Sequence, residues 1–299
     1  MIYNVMYHYI RDDTKDFPFF RNLTTSNFRS QLDFFKKKFP VISPSDFVES
    51  INNKPAKGIV LTFDDGLKDH YENVLPELQK RKMWGYFFIP TNILNTKKVL
   101  PVHKIHFLIG KCPSKIILNK ALKEIDNKML DKNVIKLFDK EIYKDQDNNK
   151  TEYLFKRLFN YYLKSQFRDK ILDSIFSQYF DEEEIFKSLY LTRKEIQELS
   201  KLGNIIGSHG VNHKVLSKLS YKEQDREIYN SFYDLDKIID IKIKSFCYPY
   251  GLESTYNEDT IKILKKNKVH HAFVIGNKPM KFDKPIKKYS LPRFDCNQF

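Results

Sequence analysis

The chain carries two adjacent carboxylates, Asp64 and Asp65, directly after a short apolar run. The run, residues 59–63, has the composition of a strand buried on both faces of a parallel sheet. Gly66 follows and permits the backbone turn that would aim both carboxylates at one site. Bare carboxylates at the end of an apolar strand are costly unless a cation or a proton accompanies them. The segment therefore predicts acid–base or metal chemistry, the alternative being a solvated acidic turn.

A second apolar run, residues 205–208, is followed by His209 and His213. Histidines four positions apart lie on one side of a helical turn, close enough to share one metal ion. With one aspartate they would form the two-histidine, one-carboxylate set of catalytic zinc sites, which keep a position open for water. Such an ion lowers the pKa of a bound water to about 7. The remaining aspartate is then available as a general base.

Strand and helix patterns alternate around these two segments. Strands are predicted from apolar and β-branched runs, at residues 2–9, 85–90, 245–248 and 272–275. Helices are predicted from periodicity and end signals, at residues 24–39, 45–51, 67–82, 221–239 and 257–266. Capping boxes at Thr192 and Ser220 open two of the later helices. Repeated β–α units with polar residues at the strand ends predict a (β/α) barrel whose active site lies on that face.

Residues 96–190 break this alternation. They are rich in lysine, asparagine, leucine and phenylalanine, show helical periodicity and contain almost no glycine. We therefore expect residues 1–95 and 191–299 to form the barrel, and residues 96–190 to form an inserted helical subdomain. The alternative is a set of ordinary barrel helices with long connections.

Composition limits the class of protein. The 299 residues are 41% hydrophobic and 15% aromatic, which is typical of a globular chain. The formal charge of +14 suggests an acidic partner or substrate, such as a phosphorylated lipid, a nucleotide sugar, an anionic glycan or nucleic acid. A solvated, lysine-rich surface explains the charge equally well. Three widely spaced cysteines indicate a reducing compartment, and with no signal-peptide or transmembrane pattern we expect a cytoplasmic protein.

Three motifs resemble those of the polysaccharide deacetylases, the NodB-homology proteins of carbohydrate esterase family 4. They lie at residues 62–66, at residues 207–209 with His213, and at residues 248–251. The resemblance covers the chain outside the expected insertion. It implies an α/β fold, a distorted (β/α)7 barrel carrying the inserted helical subdomain, and metal-dependent removal of acetyl groups from sugars.

The resemblance also implies roles for individual residues. Asp64 resembles the general base. Three residues resemble the ligands of one divalent metal ion, for which zinc is expected and cobalt, nickel or manganese are alternatives: Asp65, His209 and His213. The backbone N–H of Tyr250 resembles an oxyanion donor that works with the metal, and Tyr248 and Pro249 belong to the same substrate-facing motif.

Where the chain departs from the common pattern of the family, it resembles a subgroup with permuted motifs. That subgroup is similar to the poly-N-acetylglucosamine deacetylases. Cys247 stands where many members have an arginine or a small residue, so the arginine that orients the base is missing there. Arg293, near the end of the chain, is expected to pair with Asp64 instead. In this subgroup an N-terminal Met-Tyr-His supplies the general acid, and the matching tripeptide here ends in His8. Gly210 stands where serine or threonine is usual, and the late Leu-x-His motif is not evident.

We therefore expect a metal-dependent hydrolase that removes an N-acetyl group from a sugar in surface-glycan or lipopolysaccharide biosynthesis. Water activated by the metal and deprotonated by Asp64 would attack the acetamide, and His8 would protonate the departing amine. The sugar could be nucleotide- or lipid-linked, with peripheral membrane contact by the protein and no role for nucleic acid. The alternatives are a deformylase or other sugar deacylase, and a carbohydrate-binding barrel without catalysis.

The remaining histidines carry weaker expectations. We expect His70 to be a surface or packing residue, and His270 and His271 to be structural. His103 and His106 are expected to be satisfied or surface histidines, the alternatives being a substrate contact or a second metal site.

Overall fold

Seven parallel strands close into a barrel whose order follows the order along the chain. The structure, a computed structural model, describes residues 1–12, 15–52, 54–132, 135, 142–143 and 148–299. The strands are β1 (Ile2–Tyr7), β2 (Gly58–Phe63), β3 (Gly85–Ile89), β4 (Ile205–Ser208), β5 (Ser245–Cys247), β6 (His271–Ile275) and β7 (Leu291–Asp295). Strand β7 pairs with β1 and closes the barrel. The predicted (β/α)7 barrel is confirmed, and all carboxyl ends meet at one rim.

Twelve α-helices lie among the described residues. They are α1 (Thr25–Lys38), α2 (Pro44–Ile51), α3 (Leu75–Arg81), α4 (Asn92–Asn95), α5 (Pro101–Lys111), α6 (Ser114–Glu124), α7 (Lys150–Arg157), α8 (Ser165–Phe176), α9 (Glu182–Leu189), α10 (Arg193–Lys201), α11 (Tyr221–Asp236) and α12 (Glu258–Lys266). The capping boxes predicted at Thr192 and Ser220 are confirmed at the starts of α10 and α11. In the described part of the chain, no helix has the length and hydropathy needed to cross a bilayer.

The segment after β2 departs from the single helix predicted over residues 67–82. It begins with a π-helical segment, His70–Val74, and continues as α3 from Leu75. Pro76 lies in the first turn of α3. A missing N–H is tolerated there because the first helical N–H groups have no partner within the helix. The proline therefore marks a change of helix type rather than a kink within one helix.

The chain forms two compact units. The first comprises Met1–Asp12, Asn22–Thr96 and Leu189–Phe299 and contains the barrel strands. The second comprises Asp13–Arg21 and Lys97–Ser188, so residues 13–21 group with the helices that follow β3 and α4. The division of the chain into a barrel and an inserted subdomain at residue 96 stays a prediction.

Side chains spaced by two on a strand share one side, and this alternation layers the barrel interior. Val60 on β2 and Leu291 on β7 belong to the apolar core. Two residues further along each strand, Thr62 and Arg293 form a polar layer, in which Arg293 Nη1 donates to Thr62 Oγ1 at 3.0 Å. The interior therefore changes from apolar to polar toward the carboxyl rim.

A glycine lets β4 approach its neighbours closely. A Cβ at Gly207 would lie 2.4 Å from a ring carbon of Phe88 and 2.6 Å from Ser245 Oγ. A larger residue would push β4 away from β3 and β5. Because His209 follows directly after β4, the glycine helps to set where this histidine lies.

Candidate active site

Two imidazoles and a carboxylate face one another at the carboxyl rim. Asp65 Oδ1 lies 3.5 Å from His209 Nε2 and 3.4 Å from His213 Nε2. All three residues are buried, and their potential ligand atoms lie within 4.8 Å of one another. The donor set is that of catalytic zinc sites, and a shared cation offsets the cost of burying the carboxylate. The three residues expected to hold a metal are thus brought together, and they fit a divalent ion.

Three residues at this site have a left-handed backbone conformation, which residues other than glycine rarely adopt. Asp65 has φ 79°, His213 has φ 53° and Tyr250 has φ 64°. Left-handed backbone at residues other than glycine costs roughly 1–3 kcal/mol each and clusters at functional sites. The surrounding barrel therefore stabilises a strained arrangement that aims these residues at one point.

A hydrogen bond sets the orientation of His209. Its Nδ1 lies 2.7 Å from the carbonyl oxygen of Cys247, so Nδ1–H donates and Nε2 faces Asp65 with its lone pair. Burial lowers the pKa of His209, which keeps the ring neutral near pH 7. A neutral imidazole with a free Nε2 lone pair is the form that binds a metal.

The segment between the two histidines is a loop, so the predicted helical turn is wrong. Gly210 takes φ 75°, a left-handed value that takes the chain out of β4 without forming a helix. Glu227 on α11 accepts hydrogen bonds from the N–H groups of Val211 at 3.1 Å and Asn212 at 2.8 Å. Its other oxygen accepts from the Asn212 side chain at 2.6 Å. A buried carboxylate, which the sequence analysis missed, thus holds the loop that ends in His213.

Asp64 forms a buried ion pair with Arg293, as expected from the sequence. Arg293 Nη1 lies 2.8 Å from Asp64 Oδ1. Burial alone would raise the pKa of Asp64, but the charge of Arg293 and the hydrogen bond that it donates outweigh burial and lower the pKa to about 2. Asp64 is therefore ionised at neutral pH and able to accept a proton.

Asp64, His209 and Cys247 form a second group whose potential ligand atoms lie within 4.8 Å of one another. The Cys247 thiol donates to Asp64 Oδ2 at 3.5 Å and accepts from Arg293 Nη2 at 3.0 Å. Burial raises the pKa of this thiol, whereas zinc binds the thiolate. The group that contains Asp65 therefore suits a metal better.

His8 borders the same site from the loop after β1. Its Nε2 lies 3.9 Å from Asp64 Oδ2, and its side chain is 39% exposed. The neighbouring carboxylate and arginine are almost fully buried. His8 can therefore meet both the buried base and a molecule arriving from solvent.

The motif after β5 separates into a site residue and core residues. The Tyr250 ring lies 4.9 Å from the His213 ring. Tyr248 is buried, donates to the carbonyl oxygen of Tyr289 at 2.9 Å and stacks on Tyr256 at 4.0 Å. Pro249 is also buried. The Tyr248 side chain therefore belongs to the core, and Tyr250 is the member of the motif whose ring contacts a proposed metal ligand, His213.

Among the described residues, the remaining histidines belong to neither group of potential metal ligands. His70 is fully buried, so the surface alternative is wrong and the packing one is confirmed. His271 is buried against aromatic rings of the core, in agreement with a structural role, and its Nδ1 lies 2.9 Å from Nδ1 of His270. His103 and His106 lie on α5 with ring centroids 6.1 Å apart, and their roles stay predictions.

Several solved structures share this fold. The deacetylase PplD from Streptococcus pyogenes, solved in complex with acetate, is 18% identical with a TM-score of 0.60, over 98% of this chain and 91% of that chain. IcaB from Ammonifex degensii is 13% identical with a TM-score of 0.57, over 98% and 90%. A de-N-acetylase from Aggregatibacter actinomycetemcomitans is 16% identical with a TM-score of 0.58, over 98% and 94%. At such identities the likeness shows a common fold.

Sequence comparison gives the family. No curated protein matches the chain significantly. The family model named polysaccharide deacetylase matches residues 51–128 and 141–278, which is more than half of the chain and includes all three motifs. The chain therefore belongs to the polysaccharide deacetylase family.

Proposed function

We propose that this protein is a metal-dependent hydrolase that removes an N-acetyl group from a sugar of a surface glycan or lipopolysaccharide. The observation that carries the proposal is the meeting of Asp65, His209 and His213 around one point. An ionised carboxylate, Asp64, adjoins this group in the chain. Family membership and the fold shared with PplD, which was solved with acetate, support the same chemistry.

Asp65, His209 and His213 would hold one divalent ion, and the donor set favours zinc, with cobalt, nickel or manganese as alternatives. When bound, the ion polarises the acetyl carbonyl and lowers the pKa of the attacking water. The hydrogen bond from His209 Nδ1 to the Cys247 carbonyl keeps this ligand in the required tautomer.

Asp64 is the general base. Its Oδ1 is engaged by Arg293, and Oδ2, which receives the long hydrogen bond of 3.5 Å from the Cys247 thiol, accepts a proton from the attacking water. The fixed charge of Arg293 keeps the carboxylate ionised before each turnover. A positioned base of this kind contributes typically about 10²–10⁴-fold to a rate.

Tyr250 and His8 complete the reaction. As the water oxygen bonds to the acetyl carbon, the Tyr250 N–H donates to the carbonyl oxygen that gains negative charge. His8 donates its proton to the sugar nitrogen as the carbon–nitrogen bond breaks. The products are acetate and a free amino sugar, and the proton taken by Asp64 balances the one given by His8.

Acetate release from defined sugars tests the proposal. The full chain, stripped of metal and reloaded with zinc, cobalt, nickel or manganese, is incubated with N-acetylglucosamine oligomers, a nucleotide-linked N-acetyl sugar and a lipid-diphosphate-linked one. Each is matched by its N-formyl analogue. We expect acetate and an equal amount of free amine only from the metal-loaded protein.

The other outcomes of this assay decide against the proposal. Formate released in preference to acetate would make the protein a deformylase. Binding of the oligomers without release of either acid, at any metal, would make it a carbohydrate-binding barrel. A protein with His213→Ala serves as the control, because it lacks one proposed ligand and should release no acetate.

A further inference from the structure

We propose that the π-helical segment after β2, His70–Val74, together with Asp69 just before it, positions His8, and that Asp69 and His70 are the positioning residues. The inference rests on the proposed function, in which His8 is the general acid. Neither Asp69 nor His70 is one of the proposed metal ligands. In the described part of the chain, neither side chain is hydrogen-bonded to Asp64. Their contacts instead reach the backbone of the loop that carries His8.

Asp69 fixes the loop two and three residues beyond His8. Its Oδ2 accepts hydrogen bonds from the Ile10 N–H at 3.0 Å and from Arg11 Nε at 2.8 Å. Its Oδ1 accepts from Arg11 Nη2 at 2.7 Å. This bidentate ion pair between Asp69 and Arg11 is one of the stronger polar contacts available to a side chain, and Asp69 is only 5% exposed. The carboxylate therefore ties both a backbone and a side-chain group of the loop to the segment after β2.

His70 fixes the backbone of His8 itself. Its Nε2 lies 3.0 Å from the carbonyl oxygen of His8. Burial lowers the pKa of His70 to about 4, so the ring is neutral and Nε2–H is the donor. The ring is held in turn by Phe63 and Phe87, at centroid distances of 5.5 Å and 5.9 Å. The packing of the His70 ring against these two barrel side chains therefore fixes the position of the Nε2–H donor.

The helix type explains how these side chains reach one loop. Leu75 N–H bonds to the carbonyl oxygen of His70, five residues back, which is the π-helical pattern. A third side chain of the same segment, Asn73, donates to the carbonyl oxygen of Ile10 at 2.7 Å. Three side chains from one turn therefore hold residues 8, 10 and 11 of the loop. Single π-turns of this kind are frequent at functional sites.

Such anchoring matters because proton transfer depends on geometry. The His8 side chain is 39% exposed, so its own packing restrains it little. Displacement of a reacting group by about 1 Å can cost roughly 10²-fold in rate. The contacts to residues 8, 10 and 11 supply the restraint that His8 lacks.

The test compares two substrates whose leaving groups differ in their need for a proton. His70→Phe keeps the ring packing and removes the donor. We expect kcat for an N-acetylglucosamine oligomer to fall about 10–100-fold, with KM and bound metal unchanged. Hydrolysis of p-nitrophenyl acetate should stay near the wild-type rate, because its leaving group departs without an acid. His70→Gln, which restores a donor, should recover much of the amide activity.

A matched control and a second variant keep the test decisive. His271→Phe removes another fully buried histidine of the same barrel, one that contacts Phe47 and Phe273, and should change neither rate. If His70→Phe does not fold, Asn73→Ala, at a half-buried position, serves as the second variant. It should lower amide activity by less than the loss expected for His70→Phe. Equal losses on both substrates, or no loss on either, would overturn the inference.

The double variant separates this inference from the proposed function. If His70 acts through His8, then His70→Phe should have no further effect on amide hydrolysis once His8 is changed to asparagine. A wild-type rate for His8→Asn would overturn the acid role of His8, and the inference with it. An inactive His8→Asn beside a fully active His70→Phe would keep the acid and overturn only the positioning role.

Discussion

Arg293 on β7 and Asp64 after β2 form an ion pair in which both side chains are buried, with Nη1 2.8 Å from Oδ1. The two strands lie on either side of β1. The guanidinium also donates to Cys247 Sγ at 3.0 Å. An arginine from the last strand thus bonds directly to the carboxylate, and the Cys247 thiol on β5 contacts both groups. The proposed base, Asp64, is therefore held by a residue far from it in sequence.

Removal of Arg293 should destabilise the protein and lower its activity. Arg293→Met leaves the Asp64 carboxylate buried without its partner, which typically costs about 3–5 kcal/mol. The pKa of Asp64 should also rise, because burial then acts without the opposing charge. We expect urea unfolding at pH 7 to show the lower stability and acetate release to show a lower kcat.

A surface pair provides the comparison for Arg293. Arg29 bonds to Glu77 at 2.7 Å, but its side chain is 53% exposed. Arg29→Met should cost at most about 1 kcal/mol, as exposed pairs do. Equal stabilities of the Arg293→Met and Arg29→Met proteins would show that the buried pair has no special role.

Glu227 should control metal affinity without binding the metal. Glu227→Gln removes the charge and leaves one acceptor oxygen for three donors, the N–H groups of Val211 and Asn212 and the side-chain amide of Asn212. Partners that orient metal ligands typically contribute about 10–100-fold to affinity. We expect that loss in chelator competition, with kcat restored largely at saturating metal.

Asp225 on the same helix is the control for Glu227. It pairs with Lys266 at the surface, and its other oxygen accepts from the side chain of Asn267 rather than from the histidine loop. Asp225→Asn should bind metal as the wild type does. If Glu227→Gln also retains full affinity, the loop is positioned by something other than this carboxylate.

His70 should make the stability depend on pH. Its pKa is lowered by burial from an ordinary 6.5 to about 4, so between these values the unfolded chain binds a proton that the folded chain does not. The contribution of neutral His70 is therefore present above pH 6.5 and is lost as the pH falls toward 4. This group alone should remove about 3 kcal/mol from the free energy of unfolding.

Urea unfolding of the wild type and His70→Phe at pH 7 and pH 4.5 measures this contribution. The variant should lose less stability than the wild type over that interval, because it has no imidazole to protonate. An identical pH dependence of the two proteins would show that the His70 site opens to water or is protonated in the folded state.

Local signals in the sequence were sufficient for most of the barrel. The capping boxes at Thr192 and Ser220 begin helices because their side-chain pairs satisfy N–H groups within four residues. The Asp64–Asp65 pair and the two histidines, His209 and His213, were singled out because they follow apolar strands whose ends converge in a parallel barrel, and the family resemblance selected Asp65 as the expected ligand.

The remainder depends on contacts between distant segments, or on backbone geometry that spacing does not reveal. His209 and His213 have helical spacing, but Gly210 takes the chain through a left-handed conformation, so the loop is not a helix. Glu227 did carry a signal, because it lies on the buried face of α11 with Ile228 and Ser231. A charged residue on such a face needs a partner. The partners themselves, in the histidine loop, became visible only in the fold.

The most direct measurement is acetate release and metal content of the Asp64→Asn protein beside those of the wild type. The substituted asparagine has the shape of the aspartate and can still accept from Arg293, but it cannot take a proton from water. Loss of a general base should lower kcat by about 10²–10⁴-fold, while the protein binds the same amount of metal as the wild type. Turnover within a few-fold of the wild type, at equal metal content, would contradict the central claim that Asp64 activates water beside a metal held by Asp65, His209 and His213.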